Sequence, residues 1–382
     1  MGAILACLLL FLPQTGPTQK GPPIRIGATI SLSGKYVELA AMGLDAMRLW
    51  EKQVNQGGGL LGRPVQLVLY DDQSQAELAR KFYHQLVFED KVDLVLAPYG
   101  TPLTLAALEV TEPQKLVMVT GSASGDTIWQ RGYRYIFGIH SPGGRYLIGF
   151  LDVMARQGLE SVAILYENTA FNIAVAQGGR DWSQRLGLKI SYFQAFFNGK
   201  KEFPRLLPGC LATRPDGLIL CSYPEDSYAL LALLKQAKFR PKAICEIIAP
   251  GLPGFQQRVG NNMAEGIFGP SLWEPDVRIP FPGTKEFIVN FKEQAHRTPS
   301  YHAASAYAAC RILEKGIRHN QSLDQEKLRD YILSLDTVTI VGRFRVDSTG
   351  MQVGQNPLLI QWQDGKKEIV YPISLQTAPP RF

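Results

Sequence analysis

Short apolar runs alternate with amphipathic stretches long enough for a helix, and this rhythm occurs twice along the chain. Parallel strands need a crossover of a dozen or more residues between them, so the alternation predicts parallel sheets covered by helices on both faces. In the first series, strands are predicted over 24–30, 65–70, 92–97, 117–120 and 135–139. A helix over 36–55 carries apolar residues at helical spacing (Leu39, Met42, Ala46, Leu49, Trp50) and stops at Gly57-Gly58-Gly59. A second runs from the capping-box pattern Ser74-Gln75-Ala76-Glu77 to about Glu89, and a third covers 101–111. The second series has strands over 162–166, 188–193, 218–221 and 243–248 and helices over 171–186, 202–208 and 225–238. The last of these opens on another box pattern, Ser222-Tyr223-Pro224-Glu225. Helices over 283–297, 300–319 and 324–335 follow, then strand-like segments over 337–346, 358–362 and 367–371. Two such series in 382 residues predict two α/β domains.

Composition excludes several classes. The net charge of +6 is dispersed, with no basic cluster beyond pairs such as Lys200-Lys201, so a nucleic-acid stripe is not expected. No charged side chain precedes Lys20, and Ala3–Leu12 is apolar throughout. That run is too short to span a bilayer but has the length of a secretory-signal core, so residues 1–23 are expected to be a leader and the mature chain soluble. Cys7 sits within the apolar run rather than after it, which disfavours a lipid anchor. Cys210, Cys221, Cys245 and Cys310 remain. None has CxxC spacing, which disfavours zinc, and they are either buried thiols or one of three pairings.

Ligands in open parallel sheets collect beyond the carboxyl ends of the strands, where the strand order switches. The segments at those ends are Ser31-Leu32-Ser33-Gly34, Pro98-Tyr99-Gly100-Thr101 and Gly121-Ser122-Ala123-Ser124-Gly125. Small residues let backbone N–H groups approach a ligand, and hydroxyls and helix starts offer neutral donors to a carboxylate. The same residues also make ordinary turns. Enzyme motifs are missing: there is no GxSxG, HExxH or GxxxxGK[ST]. The five histidines are scattered, and Asp71-Asp72, at a strand end before a helix, is expected to fix the loop rather than to catalyse.

Ile24–Gly34 (IRIGATISLSG), Gly57–Pro64 (GGGLLGRP) and Leu69–Gln73 (LYDDQ) resemble the opening of the leucine/isoleucine/valine-binding protein family. The resemblance continues through Ser122-Ala123-Ser124, Gln130–Phe137, Phe171, Lys201-Glu202-Phe203, Leu234–Ala237, Ala264-Glu265-Gly266, Pro299–Leu313 and Gly342-Arg343-Phe344, covering nearly the whole mature chain. It implies two Rossmann-like lobes (24–140 plus 272–338, and 141–271 plus 339–382) with parallel sheets. Three crossovers near 138–142, 270–274 and 336–342 would form the hinge of a ligand cleft. It also implies an extracytoplasmic, non-enzymatic, monomeric solute-binding protein that serves an ABC transporter permease, with no cofactor or metal. A ligand sensor of the same fold is the alternative.

Carried over position by position, the resemblance implies that Thr101 holds the ligand carboxylate, with Tyr99 and Gly100 beside it. Ser122, Ala123 and Ser124 would add backbone and hydroxyl contacts, and Leu39 would line a side-chain pocket. Phe171 and Tyr223 would face the ligand from the second lobe. Amino-acid binders of the family hold the ligand ammonium with an acidic residue after the 243–248 strand, where a gapless count places Ala249 and the nearest acid is Glu246. A buried ammonium with no counter-charge is costly. Either Glu246 is brought into place, or the ligand is not a zwitterion. A second departure is Gly138, where many members carry Arg. The expected ligand is a branched-chain amino acid or a related aliphatic or aromatic carboxylate or amide.

Overall fold

The computed structural model describes residues 21–382 except Lys238 and Val277. The apolar run Ala3–Leu12 and Cys7 lie outside the described residues, as does the expected end of the 225–238 helix at Lys238.

Five strands form the first sheet: β1 (Ile24–Ile30), β2 (Val65–Asp71), β3 (Leu94–Leu96), β4 (Met118–Thr120) and β5 (Ile136–Gly138). They are parallel throughout, in the order β2-β1-β3-β4-β5. Ile24, Ile26, Ala28 and Ile30 on one face and Gly27 and Thr29 on the other are buried, as a central strand covered on both faces requires. Helix Val37–Gln56 buries Leu39, Met42, Ala46, Leu49 and Trp50, the residues its periodicity singled out, and packs on helix Tyr301–Asn320. Trp50 Nε1 donates to Glu314 at 2.9 Å, which satisfies the indole N–H inside that contact.

The second sheet contains β6 (Ser161–Glu167), β7 (Lys189–Phe196), β8 (Gly217–Cys221), β9 (Ala243–Glu246) and β10 (Ile267–Ser271). After the hairpin of β11 (Thr337–Thr339) and β12 (Gly342–Phe344), it gains β13 (Leu358–Gln363) and β14 (Lys366–Tyr371). The order is β14-β13-β10-β9-β8-β6-β7. This sheet is mixed rather than parallel throughout, because β13 runs antiparallel to both β10 and β14. The turn at Gln363-Asp364-Gly365 links β13 directly to β14, and a short turn can only return a strand antiparallel.

Helices Ile148–Arg156, Phe255–Val259 and Asn261–Ala264 and strand β10 had no counterpart in the sequence reading. Helix Ile148–Arg156 is a largely apolar run with only Asp152 and Arg156 on its polar side, and β10 is buried throughout and even contains Pro270. The expected strand over 337–346 is interrupted at Ile340-Val341 to make the β11–β12 hairpin, and the 225–238 helix ends at Leu234. Neither expected capping box forms. Ser74 Oγ donates to Ser33 O at 2.7 Å and accepts from Tyr36 N, tying the helix start to the loop after β1. Ser222 Oγ contacts Tyr223 O and Ser227 Oγ. Side-chain caps occur instead at Asn198 and Asp324, which accept from the N–H groups of Lys201 and Lys327.

The chain passes between the sheets after β5, after β10 and before β13. The residues before β13 lie along the first connection: Gly138 N donates to Gly350 O, Gln352 Nε2 to Ile139 O, and Ser141 Oγ to Gln355 O. Cys210, Cys221, Cys245 and Cys310 are free, buried thiols.

Candidate ligand-binding cleft

The strand order reverses beside β1 in the first sheet and beside β6 in the second, and the carboxyl ends of both switch points bound one cavity. Asp71 and Asp72 fix the loop after β1. Asp72 accepts from Thr29 and Ser31 hydroxyls at 2.7 and 2.5 Å, and Asp71 accepts from the backbone of Leu32 and Gln73. The Ser31–Gly34 segment does not itself reach the cavity, and Leu32 is exposed.

The other two loops do reach it. Gly100 has φ +82°, a backbone conformation a side chain would strain, and it caps helix Thr101–Thr111. This turn presents Tyr99, Gly100 and Thr101 to the cavity, while Thr101 Oγ1 accepts from Gly125 N at 2.9 Å. The loop after β4 contributes Ser122 and Ser124. Its backbone donors are turned inward: Ser122 N and Ala123 N both donate to Thr120 Oγ1, and Ser122 Oγ donates to Pro98 O at 3.0 Å. Ala123 packs in the core behind the sheet and does not line the cavity.

From the second sheet come Phe171, Tyr223 and Ile248. Glu246 and Ala249 do not line the cavity. Side chains alternate along β9, so Glu246 shares the face of Ile244 and points into the second lobe's core. Neither of its oxygens has a hydrogen-bond partner. Desolvation holds its carboxyl well above the usual range, and Ser227 offsets little of that. Leu39 lines a neighbouring apolar pocket with Met47, Leu96, Ala306 and Ala309, separated from the cavity by Tyr99, Ser122 and His302. At Gly138 a Cβ would lie 2.9 Å from the Trp129 ring, so this position has no room for a long side chain without a shift of that ring.

Sequence reasoning missed Ile248, and also His140, Tyr146, Tyr301 and His302, which complete the lining. His140 follows β5 and His302 opens helix Tyr301–Asn320. These are a strand end and a helix start, the positions where ligands gather, so their placement was the available signal. Ser124 Oγ lies 3.2 Å from His140 Nδ1 and 3.0 Å from Tyr146 OH, and Tyr99 OH lies 3.5 Å from His302 Nδ1. Burial lowers the pKa of His140 to about 3. It also pushes His302 well down, assisted by His140. Both imidazoles are therefore neutral, and no charged side chain lines the cavity. The cavity volume is about 20 Å³, room for one water-sized sphere, and the apolar pocket is equally small.

A much larger hollow, about 710 Å³, lies elsewhere, between helices Thr284–Ala295 and Tyr301–Asn320 and the β11–β12 hairpin. Its Arg311 and Arg318 are already ion-paired to Glu314, and no end of a parallel strand opens into it. Size does not outweigh position here.

Residues 23–367 match the periplasmic binding protein family. Leu/Ile/Val-binding protein homolog 8 of Brucella suis biovar 1 (strain 1330) is 23% identical over 99% of this chain and 97% of its own length. Homolog 7 of Brucella abortus (strain 2308) is 21% identical over 94% of each. Among solved structures, the leucine-binding protein LivK of Thermotoga maritima superposes with a TM-score of 0.82 at 17% identity, covering 91% of this chain and 97% of the other. A solute-binding protein of an ABC transporter from R. palustris, in complex with benzoate, superposes with a TM-score of 0.80 at 17% identity, covering 94% and 97%. At these identities the solved structures establish a shared fold.

Proposed function

The chain belongs to the periplasmic binding protein family, and we propose that it captures a small amphipathic carboxylate or amide for an ABC uptake transporter. The ligand class covers a branched-chain amino acid or a related aliphatic or aromatic acid. The observation that carries this reading is the cavity at the facing switch points, lined by hydroxyls, imidazoles and aromatic rings from both sheets and by no charged group. Such a lining suits a ligand with one polar end and an apolar body. Relatives named for leucine, isoleucine and valine binding, and a benzoate complex on the same fold, support the class. Thr101, Ser124, Tyr99, Phe171 and Tyr223 are the contacts proposed to hold the ligand. Ser122, with its hydroxyl donated to Pro98 O, can only accept.

The proposal places the mature protein outside the cytoplasm, as a monomer that meets a permease. No helix among the described residues is long and apolar enough to cross a membrane. Binding requires opening and closing about the three connections, and it requires no catalysis. A thermal-shift screen of amino acids, aliphatic and aromatic acids and their amides tests the proposal. A true ligand at a hundred times its Kd stabilises by about 2.7 kcal/mol. A flat response across all classes overturns the solute-binding reading.

A further inference from the structure

Two histidines in the cleft have unused ring nitrogens. His140 and His302 are each 3% exposed, both line the cavity, and the Nε2 atom of each is buried without a partner. Their Nδ1 atoms are engaged, His140 by Ser124 Oγ and His302 by Tyr99 OH. Tyr99 OH donates most simply to His302 Nδ1. Ser124 Oγ can donate to His140 Nδ1 while accepting from Tyr146 OH. This network leaves Nε2–H as the free donor on both rings. Both rings line the one cavity and each keeps one unused donor, a pair that matches an acceptor with two oxygens.

We infer that His140 and His302 form the carboxylate grip of the cleft, that they select an anion lacking an ammonium group, and that binding takes up one proton. The inference rests on the solute-binding reading and names the ligand class of that site. No charged side chain among the described residues lines the cavity, so an ammonium there would have aromatic faces but no ionised partner. Glu167 is held by Lys35 and Asn172, Asp126 by Gly144 N–H, and Glu274 by Lys367. Glu246 points into the second lobe. The hydroxyls of Tyr99, Tyr146, Tyr223 and Tyr301 are neutral, since burial raises each of them. An anion entering this chargeless site is stabilised most by a cation, and a neutral imidazole becomes one by taking a proton from solvent.

The proton belongs on His140. Once both of its nitrogens carry hydrogen, Nδ1–H donates to Ser124 Oγ, which turns and donates to Tyr146 OH. Tyr99 has no second partner of this kind to receive its hydrogen if His302 were charged. The bound state therefore pairs the ligand carboxylate with a His140 imidazolium, and His302 donates as a neutral ring. Because the complex binds one more proton than the free protein, affinity rises as pH falls, by up to tenfold per unit. The slope vanishes below about pH 4, where the free ligand's own carboxyl is protonated, since burial keeps free His140 neutral down to about 3.

Calorimetric titration of benzoate, 4-methylpentanoate and 3-phenylpropionate against leucine and phenylalanine, from about pH 6 to about pH 8 in buffers of different ionisation enthalpy, reads both claims. The expected result is that the acids bind at least as tightly as the amino acids, with close to one proton taken up. His140→Gln keeps a neutral donor near Nε2 and cannot be protonated. It is expected to lose the proton uptake and the pH dependence, while His302→Gln weakens binding and keeps both. If His140→Gln fails to fold, the His140 Cε1–H resonance of the unaltered protein, titrated with and without benzoate, reports the same shift. An amino acid that binds more tightly than its deaminated acid, or acid binding without proton uptake, overturns the inference and leaves the solute-binding reading intact. If no acid, amino acid or amide binds, that reading falls as well.

Discussion

Lys35 Nζ stands 2.8 Å from Glu167 Oε1, so the loop after β1 and the end of β6 are joined by an ion pair at the rim of the cleft. Lys35 also lies 4.5 Å from the centre of the Tyr223 ring, and Asn172 Nδ2 holds the other Glu167 oxygen at 3.0 Å. The two Lys35 contacts cross from the first sheet to the second, so any separation of the sheets would break them. Half-exposed pairs of this kind contribute about 0.2–1 kcal/mol. Lys35→Met or Glu167→Gln is therefore expected to weaken ligand affinity by about two- to fivefold, less at high salt, with little change in melting temperature. Calorimetry at two ionic strengths checks this. An unchanged affinity in both variants would show that the pair does not latch the closed state.

Glu246 gives a prediction about stability and pH. Its folded-state carboxyl stays protonated above the ordinary range because desolvation raises it, while the unfolded chain releases that proton near the usual value of about 4.3. A folded pKa raised above the unfolded one means the contribution is fully present below the unfolded pKa and is lost as pH rises through the folded pKa. Glu246→Gln keeps the shape and removes the proton. Its melting temperature relative to the parent is expected to climb with pH from the carboxylate range upward, with ligand affinity unchanged. Melts across pH decide the first point. Loss of amino-acid binding in Glu246→Gln would instead show that Glu246 is the ammonium partner.

How far the site was legible follows from which signals are local. The strand-end loops at Tyr99–Thr101 and Ser122–Ser124 announce themselves through Gly, Ser and Thr, and both reach the cavity. The partners of their donors are not local. Thr120 Oγ1 takes the Ser122 and Ala123 N–H groups, and Pro98 O takes the Ser122 hydroxyl. The register of β9, which turns Glu246 away and leaves Ile248 in the cleft, depends on which face the second core covers. His140 and His302 lie far apart in sequence and meet only because β5 and helix Tyr301–Asn320 flank the same strand ends. The fold was more legible, since every strand of the first sheet has a counterpart in the apolar pattern. Helix Ile148–Arg156 has only the Asp152–Arg156 pair to mark its polar side, and strand β10, buried throughout, has no alternation at all.

Gly121 precedes the Ser122–Ser124 loop and lies against helix Tyr301–Asn320. A Cβ there would stand 2.4 Å from Ser305 O, a backbone atom that cannot swing aside. Gly121→Ala is expected to destabilise by about 1–3 kcal/mol, as overpacking does. It should also weaken ligand binding by displacing the loop from His302. A thermal melt checks the first effect and calorimetry the second. A neutral substitution would mean the helix shifts freely.

Compartment rests on the apolar run Ala3–Leu12 and the Pro-, Gly- and Thr-rich residues after it. Expression in a cell with an export pathway is expected to yield a processed protein outside the cytoplasm, its N-terminus close to residue 23. Mass spectrometry of the recovered chain reads the mass directly. An unprocessed chain confined to the cytoplasm would remove the export proposal.

The apolar pocket behind Tyr99 sets an expectation about ligand length. Leu39 is 1% exposed and lines this pocket with Met47, Ala306 and Ala309, beside the partition formed by Tyr99 and His302. If the carboxylate of a ligand sits at the imidazole pair, its apolar body has this pocket as the nearest unpolarised space in the first lobe. Leu39→Ala removes buried volume there and is expected to cost about 2–5 kcal/mol of stability. The same space then accommodates further methylene groups, each contributing about 0.8 kcal/mol when buried. The expected signature is a change in preference rather than in overall affinity. The ratio of Kd for a short straight-chain acid to that for one longer by two or more carbons should rise several-fold in Leu39→Ala relative to the parent. Calorimetric titration of such a chain-length series on both proteins measures the ratio. An identical ratio in the two would place the apolar body of the ligand away from Leu39, against Phe171 and Ile248 on the other side of the cleft.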